Sequence, residues 1–279
     1  MKIKILVLIF SIAFTSSVFA KKKNLDVRAE LYYSNGNYST NITTNGVYGF
    51  ANFIVNDFDL IRIGYNKIYF GNVLYADDID WKYQETNYSI GGVKNLYPFY
   101  IKTSFLYMSG EYYYQEFVSN YLNNLYTLAF EVDYNVNLFY VGLNFAYTSS
   151  YSDSLASLNS KQFGLPFTYS PSNDFSITIT PTYTSVSDRG DLFSTEVLLK
   201  YSPTEKLTTY LGGFIGKRAY FYNHNLYTIF NQNATQTGAL RFALEFMMLD
   251  KLTLIGGYTY TEFEDYLINF YTVGLRFIF

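Results

Sequence analysis

The chain has 279 residues with 20 basic and 23 acidic side chains, a formal net charge of −3 and no cysteine. The acidic balance argues against a nucleic-acid protein, which carries a basic patch. The lack of cysteine excludes a disulfide framework and a lipoprotein signal, which needs a cysteine at its cleavage site. The unusual quantity is aromatic content, 21%, with 32 Tyr and 26 Phe.

Residues 1–20 read as a secretory signal peptide. Lys2 and Lys4 form a positive start, Ile5 to Phe14 is apolar apart from Ser11, and Val18-Phe19-Ala20 gives a small-x-Ala cleavage site. The mature chain is then expected to be 21–279, with 18 basic against 23 acidic residues once Lys2 and Lys4 are removed, a net charge near −5. No later apolar run approaches the ~20 residues of a spanning helix. A secreted, tyrosine-rich, alternating chain without membrane helices has the composition of a transmembrane barrel; a soluble secreted β-protein is the alternative.

From Asp26 onward, apolar and polar residues alternate in about fourteen segments, the period of strands with one oily and one wet face. The first spans Asp26–Ser34, with Val27, Ala29, Leu31 and Tyr33 outward and Arg28 and Glu30 inward. The next four cover roughly 44–55, 58–69, 82–93 and 99–109, placing Arg62, Glu85 and Lys102 inward. In the sixth and seventh, Tyr126 to Tyr134 and Phe139 to Tyr147, the outward rows have aliphatic centres and aromatic ends, as the girdles of a membrane barrel require. Glu131 and Asp133 alternate with the first of these rows. The eighth to eleventh cover about 161–170, 175–185, 194–201 and 207–216, with Glu196 and Lys200 inward and the facing of the eleventh ambiguous. The twelfth, 238–247, turns Arg241 and Glu245 inward; the thirteenth covers 252–260 and the last 271–279, with Arg276 inward. Pro166 and Pro181 fall inside the eighth and ninth segments, where a missing ladder donor predicts a bulge or local irregularity.

Turns near 56, 96, 136, 172, 204 and 250 are short, whereas stretches at 35–43, 70–81, 110–122, 149–160 and 217–237 are expected as longer loops. This alternation suits short periplasmic turns and long outer loops, with both termini on the periplasmic side. The expected architecture is therefore all-β, a single antiparallel up-and-down barrel of about fourteen strands, with twelve as the runner-up.

The inward charges Arg28, Glu30, Arg62, Glu85, Lys102, Glu131, Asp133, Glu196, Lys200, Arg241, Glu245 and Arg276 are candidate pore-lining residues. On the lipid face an Arg or Lys near the midplane would cost ~2–4 kcal/mol, so placing all of them on one face implies a wet lumen. The alternative is that they pair with one another and hold the lumen together; mixed signs predict no strong ion selectivity. No catalytic, metal or cofactor site is expected. The sole histidine, His224, has no acidic neighbour or serine nucleophile beside it in sequence and reads as an exposed loop residue. Asp77-Asp78-Ile79-Asp80 lacks the spacing and glycine of a calcium loop and reads as a solvated acidic loop. The 217–236 loop, rich in Tyr, Phe and Asn, is open to two readings: a constriction folded into the mouth, or a surface loop.

The C-terminal stretch Thr272-x-Gly274-x-x-Phe277-x-Phe279 resembles the terminal β-signal of bacterial outer-membrane barrels. In that family the signal is read by the barrel-insertion machinery, so the resemblance makes Gly274, Phe277 and Phe279 an assembly signal and implies pairing of the last strand with the first. With the signal peptide and the alternation, the chain resembles the outer-membrane porins, by size and strand count the small monomeric type. Fatty-acid channels and TonB-dependent receptors carry an N-terminal plug, and only about five residues precede the first strand here. The expected function is passive diffusion of small hydrophilic solutes through a polar lumen; the alternative is a closed surface barrel acting as an adhesin or structural protein. Outer-membrane lipid and lipopolysaccharide are the expected surroundings, with no nucleic-acid partner, no enzymatic activity and no cofactor.

Overall fold

The structure, a computed structural model, describes residues 25–40, 42–55, 59–71, 81–114, 123–152, 158–226, 228–230 and 234–279. The expected signal peptide and Asp77 to Asp80 lie outside the described residues. Strands β1 (Leu25–Tyr38), β2 (Thr43–Val55), β3 (Asp59–Gly71), β4 (Trp81–Leu96), β5 (Phe99–Tyr114), β6 (Asn123–Val136) and β7 (Phe139–Ser152) form half of the wall. The other half comprises β8 (Leu158–Gly164), β9 (Phe167–Ser172), β10 (Phe175–Val186), β11 (Gly190–Thr204), β12 (Leu207–Arg218), β15 (Gln236–Leu249), β16 (Leu252–Phe263) and β17 (Leu267–Ile278). Between β12 and β15 lie two short strands, β13 (Phe221–Asn223) and β14 (Thr228–Phe230), paired only with each other. Each wall strand pairs antiparallel with its neighbours, β8 and β9 together make one stave, and β17 pairs with β1, closing a barrel of fourteen staves.

The alternation decides which side each residue takes. Outer rows such as Leu128 and Phe130 on β6, Val141 and Leu143 on β7, and Leu240, Phe242, Leu244 and Phe246 on β15 are exposed, while Thr127, Ala129, Glu131 and Asn144 between them are buried in the interior. A belt of this kind aggregates in water and is satisfied by hydrocarbon. At the end opposite the termini a clasp recurs in five hairpins. The hydroxyls of Tyr33, Tyr107, Tyr147, Tyr183 and Tyr258 donate to Asn45, Asn124, Asn159, Asp191 and Asn269, respectively, at 2.6–2.9 Å. In each, the acceptor sits two residues before the tyrosine's cross-strand partner, so all five share one diagonal geometry. An apolar ring with its polar tip held at the rim is the chemistry of a headgroup-level girdle.

On the inside, aromatic rings lie over glycines. A Cβ on Gly64 would meet the Phe50 ring at 2.8 Å, and one on Gly274 would run into Tyr32; in both cases the ring and the glycine are direct cross-strand partners. The missing side chain lets the ring lie along the wall instead of projecting across the lumen.

The two prolines produce one shared interruption. Leu165 and Pro166 separate β8 from β9, yet the pairs Asn144↔Gly164 and Val141↔Phe167 keep a single register, so there is a gap in the ladder and no bulge at this point. Leu165 N donates to Pro181 O, which shows that Pro181 turns its donorless side toward the same gap. The expected loop at 35–43 is mostly strand: β1 runs to Tyr38 and β2 resumes at Thr43, because the Asn35, Gly36 and Asn37 backbones continue the ladder. The ambiguous eleventh segment, β12, is resolved with Phe214 and Arg218 buried inward and Leu211 and Ile215 exposed.

Candidate functional site: a hairpin across the lumen

The described residues of the 217–236 loop enter the barrel. Its turn inward starts at Gly216, whose φ of +101° suits glycine, and where a Cβ would collide with the β11 backbone. The β12–β15 register shifts between Ile215 and Arg218, the irregularity that lets the chain leave the wall. Arg218 fixes this foot. It is 1% exposed, lies 3.5 and 3.9 Å from the Phe214 and Phe221 ring centres, and donates to Gln236 Oε1 (2.8 Å) and Glu196 Oε2 (3.0 Å).

From that foot the β13–β14 hairpin reaches the far wall. Tyr222 hydroxyl and Ser104 Oγ on β5 are 2.7 Å apart. Gln162 on β8 treats the hairpin as another strand, accepting from Tyr222 N (3.0 Å) and donating to Tyr222 O (3.1 Å). Arg62 Nη1 on β3 lies 3.5 Å from Asn225 O, and His224 Nδ1 lies 3.5 Å from Glu131 Oε2 on β6. Strands β3 and β5 stand six staves from β12 in the two directions round the wall, so the hairpin spans the barrel's diameter. Apolar packing holds it: Ala219, Tyr220, Tyr222 and Ile229 pack into a cluster with the inward-facing Leu106, Met108, Leu125, Leu158, Val186 and Leu192.

The twelve charges predicted inward fall mostly into three groups. In the first, Glu30 accepts from Arg62 (3.2 Å), Arg276 (3.0 Å), Asn52 (3.2 Å) and Tyr32 (2.8 Å), and Arg276 makes a two-pronged contact with Glu245 at 2.8 and 3.0 Å. The second places Lys102 between Glu131 and Asp133. In the third, Glu196 faces Arg218 and Arg241. Glu85 is buried and accepts from Asn87 at 2.7 Å. Arg28 and Lys200 occupy the same inner rows nearer the termini, opposite Asn52 and Ser176, respectively. Of the residues expected as an assembly signal, Gly274 lies beneath Tyr32, Phe277 stands opposite Ala29, and Phe279, 70% exposed, donates its N–H to Val27 O at 3.0 Å. Arg218 and the hairpin contacts escaped the sequence reading.

Below the hairpin tip, toward the termini, lies a chamber of about 320 Å³. Tyr222, Asn223, His224 and Asn225 form its roof; Tyr100, Lys102, Glu131, Asp133, Tyr140, Thr168, Thr178, Thr180, Thr182 and Glu196 are among its walls. Gly142 keeps this wall clear, since a Cβ there would strike the Asp133 carboxylate and Pro166. Among the described residues no three His, Cys, Asp or Glu side chains gather as a metal site.

His224 corrects the expectation of an exposed loop residue: its side chain is 8% exposed. Burial, with the Lys102 ammonium adding to it and Asp133 opposing, pushes its imidazole down to about 3. The docked imidazole is therefore neutral, while an undocked one takes a proton near its ordinary pKa of 6.5. Docking should be constant above pH 6.5 and weaken as the pH falls from there toward 3, by at most about tenfold per pH unit. Single-channel flicker at about pH 7.5 and 5 checks this: His224→Gln should abolish the difference, and an equal difference in that variant would refute it.

No protein-family model matches the chain, and no curated protein matches it in sequence. Solved structures do match in shape. The Pseudomonas putida toluene transporter TodX superposes with a TM-score of 0.54 at 7% identity, covering 94% of this chain and 90% of that one. A Pseudomonas aeruginosa FadL homologue gives 0.51 at 8% identity, covering 92% and 90%. CdiB from Acinetobacter baumannii gives 0.48 at 7% identity, covering 90% of this chain but 60% of its own length. The fold is that of the bacterial outer-membrane β-barrels. In this chain an element inside the lumen comes from the segment between β12 and β15.

Proposed function

We propose that this protein is an integral outer-membrane channel for passive diffusion of small hydrophilic solutes, with its lumen narrowed by the β13–β14 hairpin. The observation that carries the reading is the inner surface: hydroxyl, amide and mutually paired charged groups surround a chamber of about 320 Å³ beneath the hairpin. TodX, described as a monoaromatic hydrocarbon channel, shares the barrel, but the lining here favours solutes that hydrogen-bond. We read the chain as non-catalytic, because His224 faces Glu131 and Tyr222, and among the described residues no hydroxyl nucleophile hydrogen-bonds its Nε2. One observation favours a second reading, a closed adhesive or structural barrel: the hairpin is packed into an apolar cluster.

Conductance of refolded 21–279 in a planar bilayer separates the two. Discrete steps that scale with electrolyte concentration are expected of a channel. An inserted, heat-modifiable barrel that passes no current, with or without its hairpin, would leave only the closed barrel.

A further inference from the structure

We infer that the chamber under the hairpin is a binding subsite for a neutral, polyhydroxylated solute of monosaccharide size, an inference that rests on the channel reading for the solute's route but not for its binding. Five neighbouring strands supply one continuous patch: Tyr100 on β5, Asp133 on β6, Tyr140 on β7, Thr168 on β9 and Thr178 on β10. Tyr100 stands directly opposite Asp133, Tyr140 opposite Thr168, and Thr168 opposite Thr178. The two tyrosine rings have centroids 5.9 Å apart, and the Thr168 and Thr178 hydroxyls are 2.8 Å apart. Rings offer the C–H face of a sugar an apolar platform, and rows of hydroxyls both donate to and accept from its O–H groups.

Charge decides between solute classes. The ammonium of Lys102 is already held by Glu131 and Asp133, and Glu196 by Arg218 and Arg241. An anion entering the chamber meets three carboxylates and a lysine that is already committed. A neutral polyol needs no counter-ion and uses the hydroxyls, the Asn223 and Asn225 side chains and the remaining carboxylate lone pairs.

The test is calorimetric titration of the refolded full chain in detergent with D-glucose and, separately, with gluconate, followed by saturation of glucose flux in liposomes. Saturable glucose binding without gluconate binding is expected. Tyr140→Ala should weaken it roughly 2- to 10-fold by loss of the platform. Thr178→Val, close in shape, should weaken it by a similar factor of about 2- to 10-fold. Heat-modifiability confirms that both variants fold. Equal binding of gluconate, or glucose binding indifferent to both substitutions, overturns the subsite. Glucose binding by a barrel that conducts nothing defeats the channel reading alone. Conduction with no saturable glucose binding defeats the subsite alone.

Discussion

Replacing residues 219–235 with a short Gly-Ser linker should raise single-channel conductance several-fold and leave the barrel folded. The wall does not need the hairpin: β12 and β15 pair directly from Leu207↔Phe246 to Ile215↔Gly238, and β13 and β14 bond as strands only to each other. The lumen does feel it, since the hairpin runs from Arg218 to contacts on β3, β5, β6 and β8. A single substitution should give a graded version. Tyr222→Ala removes a side chain that is 1% exposed, together with its Ser104 contact. Truncating a buried aromatic costs about 3–5 kcal/mol. Here that cost falls on docking, shifting the docked-to-undocked ratio on the order of a hundredfold or more. Long closed intervals in the parent should become brief, with unitary conductance approaching that of the linker variant. Unchanged conductance in the linker variant would show that the hairpin is not what restricts the lumen.

The fold was legible because a membrane barrel writes its structure into a two-residue period. Lipid on one side and a polar interior on the other constrain every residue, so Leu128, Phe130 and Val132 against Thr127, Glu131 and Asp133 leave little choice of facing. Strand ends were less legible. Asn35 and Asn37 look like turn residues, yet they extend β1 because the ladder to β2 and β17 continues there. The inward charges were legible for the same reason as the wall, but their grouping was not. Glu30 and Arg276 are separated by almost the whole chain, and only the closing register makes them neighbours. The hairpin's place in the lumen had a trace that alternation alone obscures. Leu106, Met108, Leu125, Leu158, Val186 and Leu192 are apolar residues on the inner rows of five strands, and they are buried against it. Inner-row leucines contradict a water-filled mouth, and the contradiction points to something apolar inside. The Tyr, Phe and Ile of the 217–236 loop were candidates, alongside the equally aromatic 110–122 stretch, so the trace alone did not choose between them.

Glu30→Ala should destabilise the barrel more than any other removal of an inward charge, by about 3–5 kcal/mol, the usual result of removing one member of a buried ion-pair network. Glu30 is 7% exposed and stands directly opposite Arg276, on the seam where the first and last strands meet. Its carboxylate joins Arg276 of β17 to Arg62 of β3, with Asn52 of β2 between them, so one side chain ties together four consecutive strands across the closure. Arg276 keeps its two-pronged contact with Glu245, whereas Arg62, which also stacks on Phe50 at 4.0 Å and approaches Asn225 O at 3.5 Å, loses its 3.2 Å ion pair with Glu30. The variant should therefore lose heat-resistant migration at lower temperature and unfold at lower urea in detergent or lipid. Replacing Glu30 and Arg62 together with alanine should cost less than the two single losses added, because each single variant already breaks the same Glu30–Arg62 ion pair. Glu245→Ala offers the comparison: it also deprives Arg276 of a carboxylate but leaves the Glu30 seam pair intact, so its effect should be smaller. If Glu30→Ala and Glu245→Ala unfold at the same denaturant concentration, the seam has no special weight and the interior charges act only as a diffuse polar lining.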